Sequence, residues 1–67
     1  MIQEKVGFRI KELRHKLGIS QEDLAARADI HRTYIASLEV GKRNISIVYL
    51  EKIAIALDVS LSEFFNF

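Results

Sequence analysis

Cysteine, proline and tryptophan are all absent from this 67-residue chain, and histidine occurs only at His15 and His31. Without cysteine there is no disulfide framework and no thiolate metal site, and the absence fits a reducing cytoplasm. The two histidines have no partner at ligand spacing, so no metal is expected. The chain is therefore near the lower size limit at which one core holds without a staple. Its apolar fraction of 49% must supply that core in a helical bundle, with more burial available if two copies associate. Proline, Gly/Ser linkers, repeats and low-complexity stretches are all missing, so residues 1–67 read as a single domain. The longest apolar run, Ile53 to Leu57, is far too short to span a bilayer, and the start has no apolar h-region. A soluble cytoplasmic protein with no membrane contact is expected. No Gly-rich phosphate loop occurs, and no serine is placed where helices would bring it to a histidine and an acid. An enzyme, a cofactor and a small-molecule ligand are accordingly not expected.

Apolar residues are present at helical spacing and nowhere alternate with a period of two, which makes the class all-α. Val6, Ile10, Leu13 and Leu17 predict a first helix from about Gln3 to Leu17, stopped by Gly18. Ser20 is placed to cap a second, Gln21 to Ala28, with Asp23 completing a weak capping box and Leu24, Ala25 and Ala28 inward. A third, Arg32 to Val40, buries Ile35 and Leu38, keeps Tyr34 at the margin and ends at Gly41. Its outer side shows Arg32, Thr33, Ala36, Ser37 and Val40. A fourth runs from about Ser46 to Leu57 with Ile47, Leu50, Ile53, Ala54 and Leu57 inward. Ser60 and Glu63 form a full capping box that opens a short fifth, Leu61 to about Phe65.

The second and third segments are separated by only Asp29-Ile30-His31. So short a turn sets two helices at a steep angle and leaves the second protruding, an arrangement able to enter a DNA major groove. Charge supports this polarity. Residues 1–43 carry nine Lys or Arg against six Asp or Glu, a balance of +3, whereas residues 44–67 carry one against three, a balance of −2.

The stretches Leu17 to Ala25 (LGISQEDLA), Arg32 to Glu39 (RTYIASLE) with Gly41, and Ala54 to Leu61 (AIALDVSL) resemble the Cro/repressor-like (XRE) helix-turn-helix family over almost the whole chain. Within it, the RTYI stretch and the short length look most like the controller proteins of restriction–modification systems. The resemblance implies a compact five-helix, lambda-repressor-like DNA-binding domain with the helix-turn-helix at helices 2 and 3. It places Gln21 on a DNA phosphate, where a neutral donor joins the free amides of a helix N-terminus, and makes it a brace on the recognition helix. It makes Arg14 and Glu39 a salt bridge between the first and third helices. It sets Arg32, Thr33 and Ser37 at base edges. An Arg fork suits guanine O6 and N7 and the Thr methyl suits the thymine methyl, although Arg32 could instead lie along the phosphates. Tyr34 has two readings, a phosphate contact through its hydroxyl or half-buried packing. Lys42, Arg43 and Asn44 fall where the family grips phosphate. The chain departs from the family pattern at Asp29, commonly Gly, and at His31, commonly a better capping residue. An imidazole is expected to cap poorly, or else to contact phosphate when protonated. Val40 and Ile45 also replace the family's frequent polar residue and Pro.

Val48 and Ile55 on the back of the fourth helix, with Phe64, Phe65 and Phe67, make a second apolar face. One recognition helix reads only a few base pairs. A homodimer through helices 4 and 5, residues 46–65, would set two about 34 Å apart on a near-palindromic operator in double-stranded DNA. The expected function is a sequence-specific, dimeric transcriptional regulator. The alternative is an antitoxin or other protein-interaction module using the apolar C-terminal face, which would usually need residues beyond Phe67. Phe8 has no assigned role.

Overall fold

In the computed structural model, which describes residues 1–67, five helices follow one another: α1 (Ile2–Leu17), α2 (Gln21–Ala28), α3 (Arg32–Glu39), α4 (Ile47–Ala56) and α5 (Leu61–Phe64). There is no strand. Each boundary has a local cause. Gly18 enters the left-handed region at φ 69° and its N–H closes on the carbonyls of Arg14 and His15. Ser20 Oγ accepts from the Asp23 amide at 3.0 Å while the Asp23 carboxylate accepts from the Ser20 amide at 3.1 Å, a complete capping box. Those hydrogen bonds from Ser20 hold the Asp23 carboxyl below its ordinary range. Ser46 caps α4 through the Tyr49 amide, and Ser60 with Glu63 repeats the reciprocal box at α5. Asp29 ends α2 at φ 55°, and Asp58, which the sequence did not mark, follows α4 at φ 61°. Short polar side chains tolerate this region better than most.

Fourteen buried residues form one core, with Ile10, Leu24, Ile35, Ile53 and Phe64 fully inside. α1 packs on α3, α2 on both α3 and α4, and α4 on α5. Two expectations fail here. Ile47 is not inward but 82% exposed, because Ile45, from the preceding loop, packs against the core and the buried stripe of α4 begins at Leu50. Phe64 does not belong to an outer face. It is the largest fully buried side chain and anchors α5 to the core.

Two features of α1 fix its neighbours. Gly7, in mid-helix, is buried where a β-carbon would overlap the Leu38 carbonyl oxygen, so α1 and α3 touch backbone to backbone. Arg9 reaches to the other side. Its Nε donates to the Phe64 carbonyl at 2.8 Å and its Nη2 to the Glu63 carbonyl at 2.6 Å, while Nη1 meets Glu12 at 2.8 Å. The Phe64 carbonyl thereby gains a donor, and the Glu63 carbonyl, which already accepts from the Asn66 amide at 3.2 Å, gains a second, charged one. No helix is long and apolar enough to cross a membrane.

Candidate nucleic-acid interface

α2 and α3 meet through the Asp29-Ile30-His31 turn, with Ile30 buried beneath it. The carboxylate of Glu39, at the end of α3, is clamped from two directions. Arg14 donates Nε to Oε2 at 2.7 Å and Nη2 to Oε1 at 3.0 Å, and its remaining Nη1 donates to the Ile19 carbonyl at 2.9 Å. Gln21, at the first position of α2, adds Nε2 to Oε1 at 3.1 Å. The Arg14 and Glu39 side chains are 10% and 3% exposed. The Glu39 hydrogen bond raises the Arg14 guanidinium further above its ordinary value against the opposing cost of burial. A bidentate pair in this setting fixes angle as well as distance. α1, α2 and α3 are therefore locked together at one carboxylate.

Gln21 thus points inward with one N–H, the bracing contact to the third helix that the resemblance implies beside a phosphate contact. Its second N–H and the Gln21 and Glu22 amides have no acceptor within the chain, whereas the Asp23 amide is taken by Ser20 Oγ. At the start of α3, His31 does cap, contrary to expectation. Its Nδ1 accepts from the Thr33 amide at 3.2 Å and pairs with the Thr33 hydroxyl at 2.8 Å. An Nδ1 that accepts this amide carries no proton of its own. A planar ring nitrogen reaches the second helical amide where a hydroxyl would reach the second or third.

The outer face of α3 presents Arg32 and Thr33, both exposed, with Ala36 and Ser37 half-buried behind them. Ser37 Oγ donates to the Tyr34 carbonyl at 2.9 Å, so its hydroxyl is engaged with the helix backbone. Tyr34 is half-buried, its ring 5.2 Å from that of Tyr49, with the Arg43 guanidinium 5.0 Å over it. Its hydroxyl reaches the Asn44 carbonyl at 3.4 Å. Asn44 is held again by Gln3, whose Nε2 donates to Asn44 Oδ1 at 2.8 Å. The exposed Lys42-Arg43-Asn44 loop is thereby tied to both α1 and α3. Gln3, Gly7 and Arg9 all support the site or its frame, and sequence reasoning missed them. Only Gly7 carried a signal, an isolated glycine inside a helical pattern.

Val48 and Ile55 are exposed on α4, as expected. The Phe65 and Phe67 rings lie 6.1 Å apart. Phe65 lines a groove with Ile2, Ile45 and Leu50, whereas Phe67 shares a hollow with Met1 and Phe8 of α1.

A helix braced at its C-terminal end, free at its N-terminal end and flanked by a basic loop defines the helix-turn-helix class of DNA-reading domains. The chain belongs to the helix-turn-helix family HTH_3, which matches residues 10–64. It is 48% identical over 66 residues to control protein C.MunI of Mycoplasma sp, a match that covers 97% of this chain and 89% of that one. Among solved structures it is similar to the restriction–modification controller protein C.AhdI from Aeromonas hydrophila. That match has 43% identity and a TM-score of 0.91, and it covers 94% of this chain and 96% of the other. It is also similar to controller protein C.Esp1396I, solved as a tetramer in complex with its natural 35 base-pair operator. There the identity is 43% and the TM-score 0.92, with 97% and 86% of the two chains covered.

Proposed function

We propose that this protein is a control protein of a restriction–modification system, a cytoplasmic transcriptional regulator that binds a near-palindromic operator in duplex DNA as a homodimer. The observation that carries the reading is the Glu39 clamp, which sets α3 rigidly against α1 and α2 and leaves Arg32 and Thr33 exposed at its other end. In this reading α3 enters the major groove. Arg32 and Thr33 touch base edges, with Ser37 behind them contributing once its hydroxyl turns from the Tyr34 carbonyl. Gln21, Tyr34, Lys42, Arg43 and Asn44 position the domain on phosphates, sequence-independently and with a strong salt dependence. The pre-existing ties of Tyr34 and Asn44 hold the loop ready, which lowers the ordering cost of binding.

Dimerisation uses Val48 and Ile55 of α4, with Phe65 and Phe67 at its border; Phe64 is excluded by its place in the core. The chain contributes no catalytic group to the reading. Selection of bound sites from random duplex DNA, combined with sedimentation of the free protein, tests it. A two-fold-related pair of half-sites, together with a dimer lost in Val48→Lys, is the expected result. A single unrepeated half-site bound by a monomer would overturn the dimeric reading, and recovery of no preferred sequence would overturn the regulatory one.

A further inference from the structure

Tyr49 is an aromatic side chain that neither the core nor the base-reading face of α3 uses. It stands in the first turn of α4, 37% exposed and outside the buried cluster. Its backbone is fixed, because its amide is the one that Ser46 Oγ caps at 3.1 Å. Its ring has a footing too. Lys52, one helical turn further on, sets its ammonium 5.4 Å from the ring centroid. From there the ring meets Tyr34 of α3, with centroids 5.2 Å apart and planes at 52°, an attractive tilted pair. On the Tyr34 ring, in turn, lies the Arg43 guanidinium, 5.0 Å from the centroid. Lys52, Tyr49, Tyr34 and Arg43 thus form one continuous stack from α4, across α3, to the basic loop.

We infer that Tyr49 is a positioning residue for DNA binding: without reaching DNA itself, it supports the Tyr34 ring and so seats the Arg43 side chain for an arriving phosphate. This rests on α3 and its loop facing DNA as proposed above. Arg43 is exposed and forms no ion pair within the chain, so the Tyr34 ring is what holds its long side chain. The seat does not compete with the phosphate. A guanidinium over a ring uses its flat face, while its N–H donors lie in the guanidinium plane and stay open to an anion. Tyr34 needs the support. Apart from its packing on the core, its other tie to this region is the 3.4 Å contact from its hydroxyl to the Asn44 carbonyl, which is long for a hydrogen bond.

The gain is one of ordering. A free arginine loses most of its rotamer freedom when it closes on a phosphate, and a side chain already seated has lost part of it before DNA arrives. An exposed contact between a cation and a ring corresponds to a factor of about 2 to 5 in affinity.

Two measurements on the full chain test the proposal, the first without DNA. Nitrogen relaxation at Arg43 Nε reports its picosecond to nanosecond motion. It is expected to be restricted in the unaltered chain and in Tyr49→Phe, and released in Tyr49→Leu. The second is titration of duplex DNA. Tyr49→Leu is expected to weaken a selected operator and an unrelated duplex alike, by about 2- to 5-fold, whereas Tyr49→Phe binds as the unaltered chain does. Made in an Arg43→Met background, Tyr49→Leu is expected to cost nothing more, because the seat then has no occupant. A merely structural Tyr49 would weaken both backgrounds by the same factor, and that result would overturn the proposal. Arg43 equally mobile in all three chains, or Tyr49→Phe as weak as Tyr49→Leu, would do the same. Arg43→Met that binds as well as the unaltered chain removes the phosphate role on which the proposal rests. Arg43→Met that weakens binding while Tyr49→Leu does not removes the proposal alone.

Discussion

Gly7 of α1 lies directly against the carbonyl oxygen of Leu38 in α3, with the Glu39 carbonyl next to it. The recognition helix is thus set by backbone contact on one side of its last turn and by the Arg14–Glu39 pair on the other. Both constraints act at the C-terminal end, and neither occupies the exposed Arg32 and Thr33.

Gly7→Ala is the first test of that contact. In an open helix this change is expected to stabilise by about 1 kcal/mol, because glycine is the poorer helix former. Here the added methyl group must displace a main-chain carbonyl, which has no rotamer to escape into. Overpacking of this kind costs about 1 to 3 kcal/mol, so the net sign is expected to invert. Urea unfolding measures it, and a midpoint raised above that of the unaltered chain would refute the close approach.

The Glu39 clamp is expected to be strongly non-additive. Glu39→Ala strands the buried Arg14 guanidinium without its partner, at a cost of about 3 to 5 kcal/mol. That is comparable with the whole stability of a domain this small, so the single variant is expected to be largely unfolded. Arg14→Met with Glu39→Met replaces both charges by apolar groups and is expected to lose less than the single change, yet to bind DNA more weakly because the angle of α3 is no longer fixed. A double-mutant cycle by denaturation, run beside a binding titration, separates the two. Additive losses would remove the pair from the argument.

Arg9→Met addresses the attachment of α5. The guanidinium holds the Glu63 and Phe64 carbonyls, and hydrogen bonds from a charged donor are the stronger kind. The expected loss is about 1 to 2 kcal/mol, together with faster amide exchange around Phe64 than around Ile53. Uniformly unchanged exchange would show that burial of Phe64 alone keeps α5 in place.

The turn offers opposite expectations for its two unusual residues. Asp29 holds φ 55°, so Asp29→Gly removes a left-handed strain and is expected to raise stability by up to about 1 kcal/mol. By residue type His31 is a poor cap, but Nδ1 accepts the Thr33 amide, and His31→Ala is expected to lose about 1 kcal/mol. Thermal unfolding of both variants checks this. A gain from His31→Ala would return the cap to the poor standing its residue type suggests.

The contrast between His31 and Ser20 shows where sequence reading stops. Serine caps by a hydroxyl whose reach is nearly independent of surroundings, so Ser20 and Ser60 announce their helices correctly, whereas Ser46, which the sequence sets inside the fourth helix, is its cap. An imidazole caps only in one rotamer and one tautomer, which the neighbouring Thr33 selects in three dimensions. Periodicity behaved similarly. It named the buried faces of α1, α2 and α3, because eight or more residues define a stripe. α5 has four residues and no measurable period, so Phe64 could not be told from Phe65 and Phe67. Ile47 was misplaced because spacing gives a face but not where the covering partner begins. Arg9 and Gln3 act over 55 and 41 residues of separation, and no local pattern encodes such a contact.

Base reading and phosphate gripping make different demands on the same binding curve, which lets Arg32 and Gln21 be separated. A bidentate contact to one guanine discriminates by about 1 to 3 kcal/mol at that base pair. Arg32→Ala is therefore expected to weaken the preferred operator and to flatten preference at one or two positions, while leaving unrelated duplexes almost unaffected. In the proposed function Gln21→Ala removes a phosphate contact as well as the observed brace on Glu39. It is expected to weaken every sequence by a similar factor. The slope of affinity against salt should stay nearly constant, because the amide is neutral and releases no counterion. Titrations of both variants against an operator, a single-base variant and an unrelated duplex at two salt concentrations give all of these quantities. If Arg32→Ala instead lowered affinity equally for all three duplexes and reduced the salt slope by about one, Arg32 would be a phosphate residue. The reading face of α3 would then reduce to Thr33 and Ser37, whose hydroxyls are both already engaged within the chain.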